Sequence, residues 1–215
     1  MAAGNKVVVI SRHNRIVEHF LIRIRDENRQ KHKPEFRQTL EILGRFIGYE
    51  IAKMLDYQVV DVRTPLGIAT MHRLNENLVI IGVLRAAIPF QEGISKVLQE
   101  ASLGFIASYR RYSPDHLSFV AETSYVSIPE VTGTTVILAD PMIATGSCIL
   151  DALNHVLKAG VPSKVIIAGV IASEQAIERL SGINDISNIF VCAVDPEINQ
   201  QGYIAVSYTH LRAHE

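Results

Sequence analysis

The stretch Val136-Ile137-Leu138-Ala139-Asp140-Pro141-Met142-Ile143-Ala144-Thr145-Gly146-Ser147-Cys148 sets an acid, two hydroxyls and a glycine directly behind an apolar run. A strand that delivers the chain into a tight loop opening a helix leaves the first helical N–H groups without internal partners, at the positive end of the helix dipole. A phosphate placed there meets donors. Gly146 allows close approach of the backbone to a ligand, and Thr145 and Ser147 add hydroxyl donors. Asp140 fits less readily, because an acid repels phosphate. It makes sense beside a ligand that also carries hydroxyls to be accepted, which describes a sugar phosphate. On its own, Thr-Gly-Ser after a strand is an ordinary capping turn. The whole string is much rarer. It is neither a GxxxxGK[ST] loop nor a GxGxxG fingerprint, since neither pattern occurs in the chain.

Two arginines stand in comparable positions. Arg85 follows the apolar run Leu78–Leu84, and Arg110 follows Leu103–Tyr109, with Arg111 beside it. Guanidinium forks bind phosphate bidentately and keep their charge at any relevant pH. Two of them on adjacent loops would clamp a diphosphate. Taken singly, each reads as a surface arginine over a carboxylate before it reads as a phosphate ligand.

The elements that must position these residues can be read from hydrophobic periodicity. Residues 34–56 form an amphipathic helix through Phe36, Leu40, Leu43, Ile47, Ile51 and Leu55, with Pro34 in its first turn. Tyr57–Arg63 alternates as a strand does, and Thr64-Pro65-Leu66-Gly67 makes a turn. Leu78–Leu84 is continuously apolar, as a strand buried on both faces would be. A helix over 90–100 and a strand over Leu103–Tyr109 follow. From Arg110 to Thr134 the pattern turns polar and irregular, which predicts a hairpin or flap, about 111–130. Beyond it come a strand at Thr135–Ala139, a helix at 148–159, a strand at Lys164–Ile171, a helix at Glu174–Leu180 and a strand at Ile189–Val194. Strands alternating with helices imply an α/β fold: a mostly parallel twisted sheet with helices on both faces, plus the flap. In such sheets ligands lie beyond the carboxyl ends of the strands, where Arg85, Arg110 and Asp140 fall.

Composition narrows the function classes. The chain has 215 residues, 48% of them hydrophobic and 20% charged, with a formal net charge of −1. That supports one sizeable core, and no global field recruits nucleic acid or membrane. The segment Arg12–Arg37 is basic, with eight Lys/Arg against four Asp/Glu, and reads as a solvated helix face before it reads as an RNA-binding patch. Cys148 and Cys192 lie far apart without a CxxC, which argues against a disulfide framework or a zinc site. The apolar stretch Val7–Ile10 is too short for a signal segment, and no run reaches membrane-spanning length, so a soluble, cytoplasmic protein is expected.

The loop resembles the phosphoribosyl-diphosphate loop of the type I phosphoribosyltransferases, and Asp-Pro-Met-x-Ala-Thr-Gly looks like their uracil phosphoribosyltransferase branch. Val83-Leu84-Arg85-Ala86-Ala87-Ile88-Pro89-Phe90 resembles that family's Leu-Arg-Ala-Gly segment. Thr64-Pro65-Leu66-Gly67, Ser108-Tyr109-Arg110 and Asp195 followed by Asn199-Gln200-Gln201-Gly202-Tyr203-Ile204 fit as well. The likeness runs from about residue 5 to residue 205. It implies transfer of phosphoribose from 5-phospho-α-D-ribose 1-diphosphate to uracil, giving UMP and diphosphate. It also implies roles. Arg85 and Arg110, with substrate-bound Mg²⁺, would neutralise the departing diphosphate. Pro141, Met142 and Ile143 would belong to the sugar-phosphate loop, and 144–148 would hold the 5-phosphate. Asp140 would orient the ribose hydroxyls, and Ile204 would border the uracil. A homo-oligomer is expected, with small molecules as the other partners.

Three departures from the family pattern stand out. Ala87 replaces the usual glycine, which would matter if the backbone there needed positive φ. Cys148 sits just inside the helix as a bystander thiol. The family's base-pocket segment after Gly-Tyr-Ile is not found in Val206–Glu215. Residues 1–205 are therefore expected to form the phosphoribosyltransferase domain. Residues 206–215 are expected to be a non-native tail resembling a translated adapter remnant, with uracil transfer impaired. Two alternatives are a transferase of the same fold for another nucleobase and a non-catalytic nucleotide-sensing or RNA-binding regulator.

Overall fold

Apolar runs too continuous to face water on either side must lie at the centre of a sheet covered twice. The computed structural model describes residues 6–112, 119–196, 198–199 and 204, with backbone alone at 109–112 and 119–121. In chain order the elements are β1 (Val7–Val9), α1 (Arg15–Arg25), α2 (Lys33–Ala52), β2 (Tyr57–Thr64), β3 (Gly67–Leu74), β4 (Leu78–Leu84), α3 (Ala87–Val97) and β5 (Ser102–Tyr112). They continue with β6 (Phe119–Ser127), β7 (Thr135–Ala139), β8 (Met142–Ile143), α4 (Ser147–Ala159), β9 (Lys164–Ser173), α5 (Glu174–Ser181) and β10 (Asn188–Asp195).

The main sheet has the order β1-β10-β9-β7-β4-β5-β6, with β8 lying against β9. Every pairing in it is parallel except β5 with β6. Successive residues of its central strands enter two different cores. Ile80, Ile137, Ile166 and Phe190 pack with α1, α2 and α3. Val79, Val136, Val165 and Ile189 pack with α4 and α5 on the other side. The period of two explains why these strands carry no polar face.

Helices α2 and α3 approach unusually closely. A Cβ on Gly93 would sit 2.0 Å from the Glu41 carbonyl oxygen, and one on Gly44 would sit 2.3 Å from that of Phe90. Glu41 also pairs with Lys96 across this contact at 2.6 Å. The flanking hairpin β2–β3 forms a separate two-stranded sheet, with most of its residues exposed.

Two helices have bounds other than those expected. Helix α2 ends at Ala52, and Leu55 reaches the core through a tighter turn in which its N–H donates to Ala52 O. Helix α3 begins at Ala87 because Pro89 falls in its first turn, where its missing N–H costs nothing. The polar stretch after Arg110 is a hairpin: β6 runs back along β5, from Tyr112 opposite Phe119 to Phe105 opposite Ser127. Strands β1 and β3 were not anticipated, and the solvated helix face expected within Arg12–Arg37 takes the form of α1, whose bounds the charges did not mark. No described helix is long and apolar enough to cross a membrane.

At the amino ends of the strands, Glu76 gathers three donors. Lys164 Nζ donates to it at 3.0 Å, the Asp56 amide at 2.6 Å and Thr135 Oγ1 at 2.5 Å. Burial pushes the Glu76 pKa up, but the Thr135, Lys164 and Asp56 hydrogen bonds together outweigh it and hold the carboxyl below its ordinary 4.5. A depressed carboxylate pKa contributes stability that is complete above the unfolded value and lost as pH falls through the folded one. Glu76→Gln is therefore expected to lower stability at neutral pH by about 1–2 kcal/mol. The gap to the parent should shrink once pH drops below 4.5. Urea unfolding across acid pH measures this, and a gap independent of pH would contradict the assignment.

Candidate functional site

Strands β4 and β7 are neighbours, yet the chain leaves them in opposite directions. From β4 it passes through α3 to β5, and from β7 through α4 to β9. α3 and α4 lie on opposite faces of the sheet. The carboxyl ends of β4 and β7 therefore mark the topological switch point, where a crevice opens. Arg85 follows one strand and Asp140 the other.

The loop after β7 is fastened to β9 and α5 at nearly every step. The Asp140 amide donates to Ala168 O at 3.0 Å. Asp140 Oδ1 accepts from the Met142 amide at 3.1 Å, closing a tight turn. Pro141 O accepts from the Val170 and Ile171 amides at 3.1 and 3.0 Å. Met142 and Ile143 then pair with Ile171 and Ala172 as β8. Gly169 makes the room: a Cβ there would lie 2.7 Å from Ile143 Cδ1.

Further along, Ser173 Oγ donates to Ala144 O at 2.5 Å. Arg179 Nη1 donates to Thr145 O at 3.2 Å and to Ser147 Oγ at 3.1 Å. The carbonyls of Pro141, Ala144 and Thr145 are thus all held from the β9–α5 side. Gly146, at φ 74°, turns the chain into α4 in a left-handed conformation that other residues adopt with strain. The first amides of α4 lie at the mouth of this loop. Of the residues expected to bind, Pro141, Ile143 and Ala144 have buried side chains and could offer a ligand only their backbone. Thr145, Ser147 and Cys148 are half-buried.

Arg85 is exposed just before α3, after a cis Leu84–Arg85 peptide, and its carbonyl accepts from the Ile88 amide at 3.2 Å. Helix α3 is held on the sheet by buried Gln91, whose Nε2 donates to Ile80 O at 2.9 Å and Gly104 O at 3.0 Å. Ala87 opens this helix and is fully buried, so its backbone is helical and a glycine's freedom is not required there. The backbone of Arg110 pairs with Ala121 in the β5–β6 hairpin, while the side chains of Arg110 and Arg111 lie outside the described residues. Asp151 of α4 accepts from Ser108 Oγ at 3.0 Å and from Thr123 Oγ1, tying that hairpin to the helix behind the loop.

Ile204 is buried against the α1–α3 core and bridges to Ile198. Asp195, the last residue of β10, forms a bidentate pair with Arg25 at 2.6 and 2.8 Å, which anchors the chain where it leaves the sheet toward that bridge. Residues 206–215 lie outside the described residues. Among the described residues no group of three or more His, Cys, Asp or Glu could hold a metal ion. Burial pushes the Cys192 thiol pKa far up, and Cys148 is half-buried in the first turn of α4.

Sequence reading missed Arg179, Ser173, Asp151 and Arg25. Each acts across a long sequence separation, and no local motif marks it.

The chain matches the family described as uracil phosphoribosyltransferase over residues 10–210. It is 43% identical to the uracil phosphoribosyltransferase of Pyrococcus furiosus over 189 residues, covering 86% of this chain and 78% of that protein. A solved structure of a protein from Aquifex aeolicus superposes with a TM-score of 0.81 at 31% identity, covering 92% of this chain and 91% of that one. A hypoxanthine-guanine phosphoribosyltransferase from Bacillus anthracis superposes with a TM-score of 0.51 at 13% identity, covering 75% and 80% of the two chains, a likeness of fold alone.

Proposed function

The chain belongs to the uracil phosphoribosyltransferase family, and we propose from that premise how its residues perform the transfer of phosphoribose to uracil. It is a pentosyltransferase of pyrimidine salvage, converting uracil and 5-phospho-α-D-ribose 1-diphosphate to UMP and diphosphate. The observation that carries the assignment of roles is the loop Asp140–Ser147 at the switch point, its carbonyls held from behind and its glycine turning into α4.

As the bond from C1 to the diphosphate breaks, positive charge builds on the sugar ring. The work left to the protein is positioning and charge stabilisation. The α4 amides and the Ser147 hydroxyl hold the 5-phosphate, with Thr145 in the loop beside them donating to Ser147 Oγ. Asp140 accepts the ribose hydroxyls. Arg85 and Arg110 sit against the diphosphate, and Mg²⁺ arrives on that diphosphate as part of the substrate. Ile204, its side chain in the core, offers its backbone to the uracil edge. The β5–β6 hairpin covers the sugar and excludes water that would otherwise hydrolyse it. The reading includes a cytoplasmic setting, consistent with charged soluble substrates. It also includes a homo-oligomer, for which the exposed Leu66, Ile68 and Met71 of the β2–β3 hairpin are a candidate contact.

The reaction is tested by UMP formation from uracil, with adenine, guanine and hypoxanthine as rival acceptors. A purine used in preference to uracil would overturn it. The leaving-group assignment has a sharper test. Arg85→Ala and Arg110→Ala should each weaken binding of the sugar diphosphate by about 1.5–3 kcal/mol. UMP, which lacks the diphosphate, should bind nearly as before. Calorimetry with both ligands decides it, and equal losses would remove these arginines from the leaving group.

A further inference from the structure

We propose that Arg179 is a positioning residue that fixes the Ser147 hydroxyl as a hydrogen-bond donor toward the ligand's 5-phosphate. The proposal rests on the reading of 144–148 as the 5-phosphate loop and adds a residue from outside it. A serine oxygen has two lone pairs and one hydrogen. Here Ser147 Oγ lies 3.1 Å from Arg179 Nη1, which can only donate, and 3.1 Å from Thr145 Oγ1. Thr145 Oγ1 donates its hydrogen to Ser147 Oγ, while its oxygen accepts from the Ser147 amide at 3.4 Å. With both lone pairs of Ser147 occupied, its hydrogen has to point away from both partners. An anion at the loop mouth then meets a donor whose direction is set before binding.

Without the guanidinium one lone pair opens. The Ser147 hydroxyl can then turn back onto Thr145 and present oxygen to the phosphate, which repels it. Arg179 also donates to Thr145 O at 3.2 Å, and its neighbour Leu180 packs under Gly146, where a Cβ would lie 3.3 Å away. The guanidinium is therefore held in register with the loop by its own helix. Because Arg179 is exposed, its charge acting at a distance is screened by solvent and salt, and the contact itself must carry the effect.

Calorimetric binding of ribose 5-phosphate, with inorganic diphosphate as the control ligand, tests this in the full chain with Arg179→Met, Ser147→Ala and the double variant. Methionine keeps the long stem and removes the donors. Arg179→Met should weaken ribose 5-phosphate about tenfold, the scale of one hydrogen bond to a charged group. It should leave diphosphate binding and the melting temperature unchanged. Ser147→Ala should cause a similar loss, and the double variant should be no weaker than Ser147→Ala alone. If Arg179→Met has no effect, or costs the same factor in the Ser147→Ala background, Arg179 does not act through Ser147 and the proposal fails while the phosphate loop stands. If Ser147→Ala itself leaves ribose 5-phosphate binding unchanged, the loop reading fails and this proposal with it.

Discussion

An Asp140→Asn variant is expected to fold as the parent does and to make UMP roughly a hundredfold more slowly, or worse. The two halves of this expectation have separate causes. Asn keeps an oxygen where Oδ1 accepts from the Met142 amide, so the turn that starts the loop survives. The backbone bonds from Asp140 to Ala168 and from Pro141 to Val170 and Ile171 do not involve the side chain. What is lost is the negative charge beside a sugar that becomes positive in the transition state, together with the carboxylate's capacity to accept two hydroxyls. A hundredfold corresponds to about 2.7 kcal/mol of transition-state stabilisation, ordinary for one preorganised electrostatic group. Steady-state rates, read beside thermal unfolding, check both halves. Near-parental turnover would remove Asp140 from the chemistry, and a large drop in melting temperature would make it a structural residue.

The second large effect concerns stability. Gly93→Ala is expected to destabilise the protein by about 2–3 kcal/mol, because its methyl would occupy the position of the Glu41 carbonyl and the helices must separate. Backbone against backbone leaves no flexible side chain to give way. Separation would stretch the Glu41–Lys96 pair and lift α3, the helix that follows Arg85, so affinity for the sugar diphosphate should fall as well. Gly67→Ala is the matched control, since nothing lies within 4 Å of its added Cβ. Urea unfolding of both variants gives the comparison. If Gly93→Ala costs no more than Gly67→Ala, the close approach of α2 and α3 is not a real constraint.

What could be read in advance follows from where the information lies along the chain. Leu78–Leu84 and Thr135–Ala139 were legible because a strand buried on both faces writes its environment into consecutive residues. The loop 140–148 was legible because sugar and phosphate recognition is packed into neighbouring positions. Strand β3 was not legible. Most of Gly67–Leu74 is exposed, so no alternation between core and water distinguishes it from a loop. Helix α1 was legible only as a solvated charged face, and its buried stripe of Val17, Leu21 and Ile24, at helical spacing between arginines, was not. Arg179 was invisible for a different reason. It reaches Thr145 and Ser147 from a helix 34 and 32 positions further on, and only the return of the chain through β9 brings it there.

The way the β2–β3 hairpin is closed bears on how such a protein can diversify. Its two ends meet at one point: the Asn75 amide donates to Asp56 O, and the Asp56 amide donates to Glu76. Lys164 of β9 bonds both acids that flank it. The chain thus leaves and re-enters the body of the fold through a single stapled doorway. Whatever stands outside that doorway can be lengthened, trimmed or rewritten over evolutionary time without moving β4 or the switch point beyond it. The surface such a protein presents to its surroundings can drift while the chemistry it inherited stays where it was.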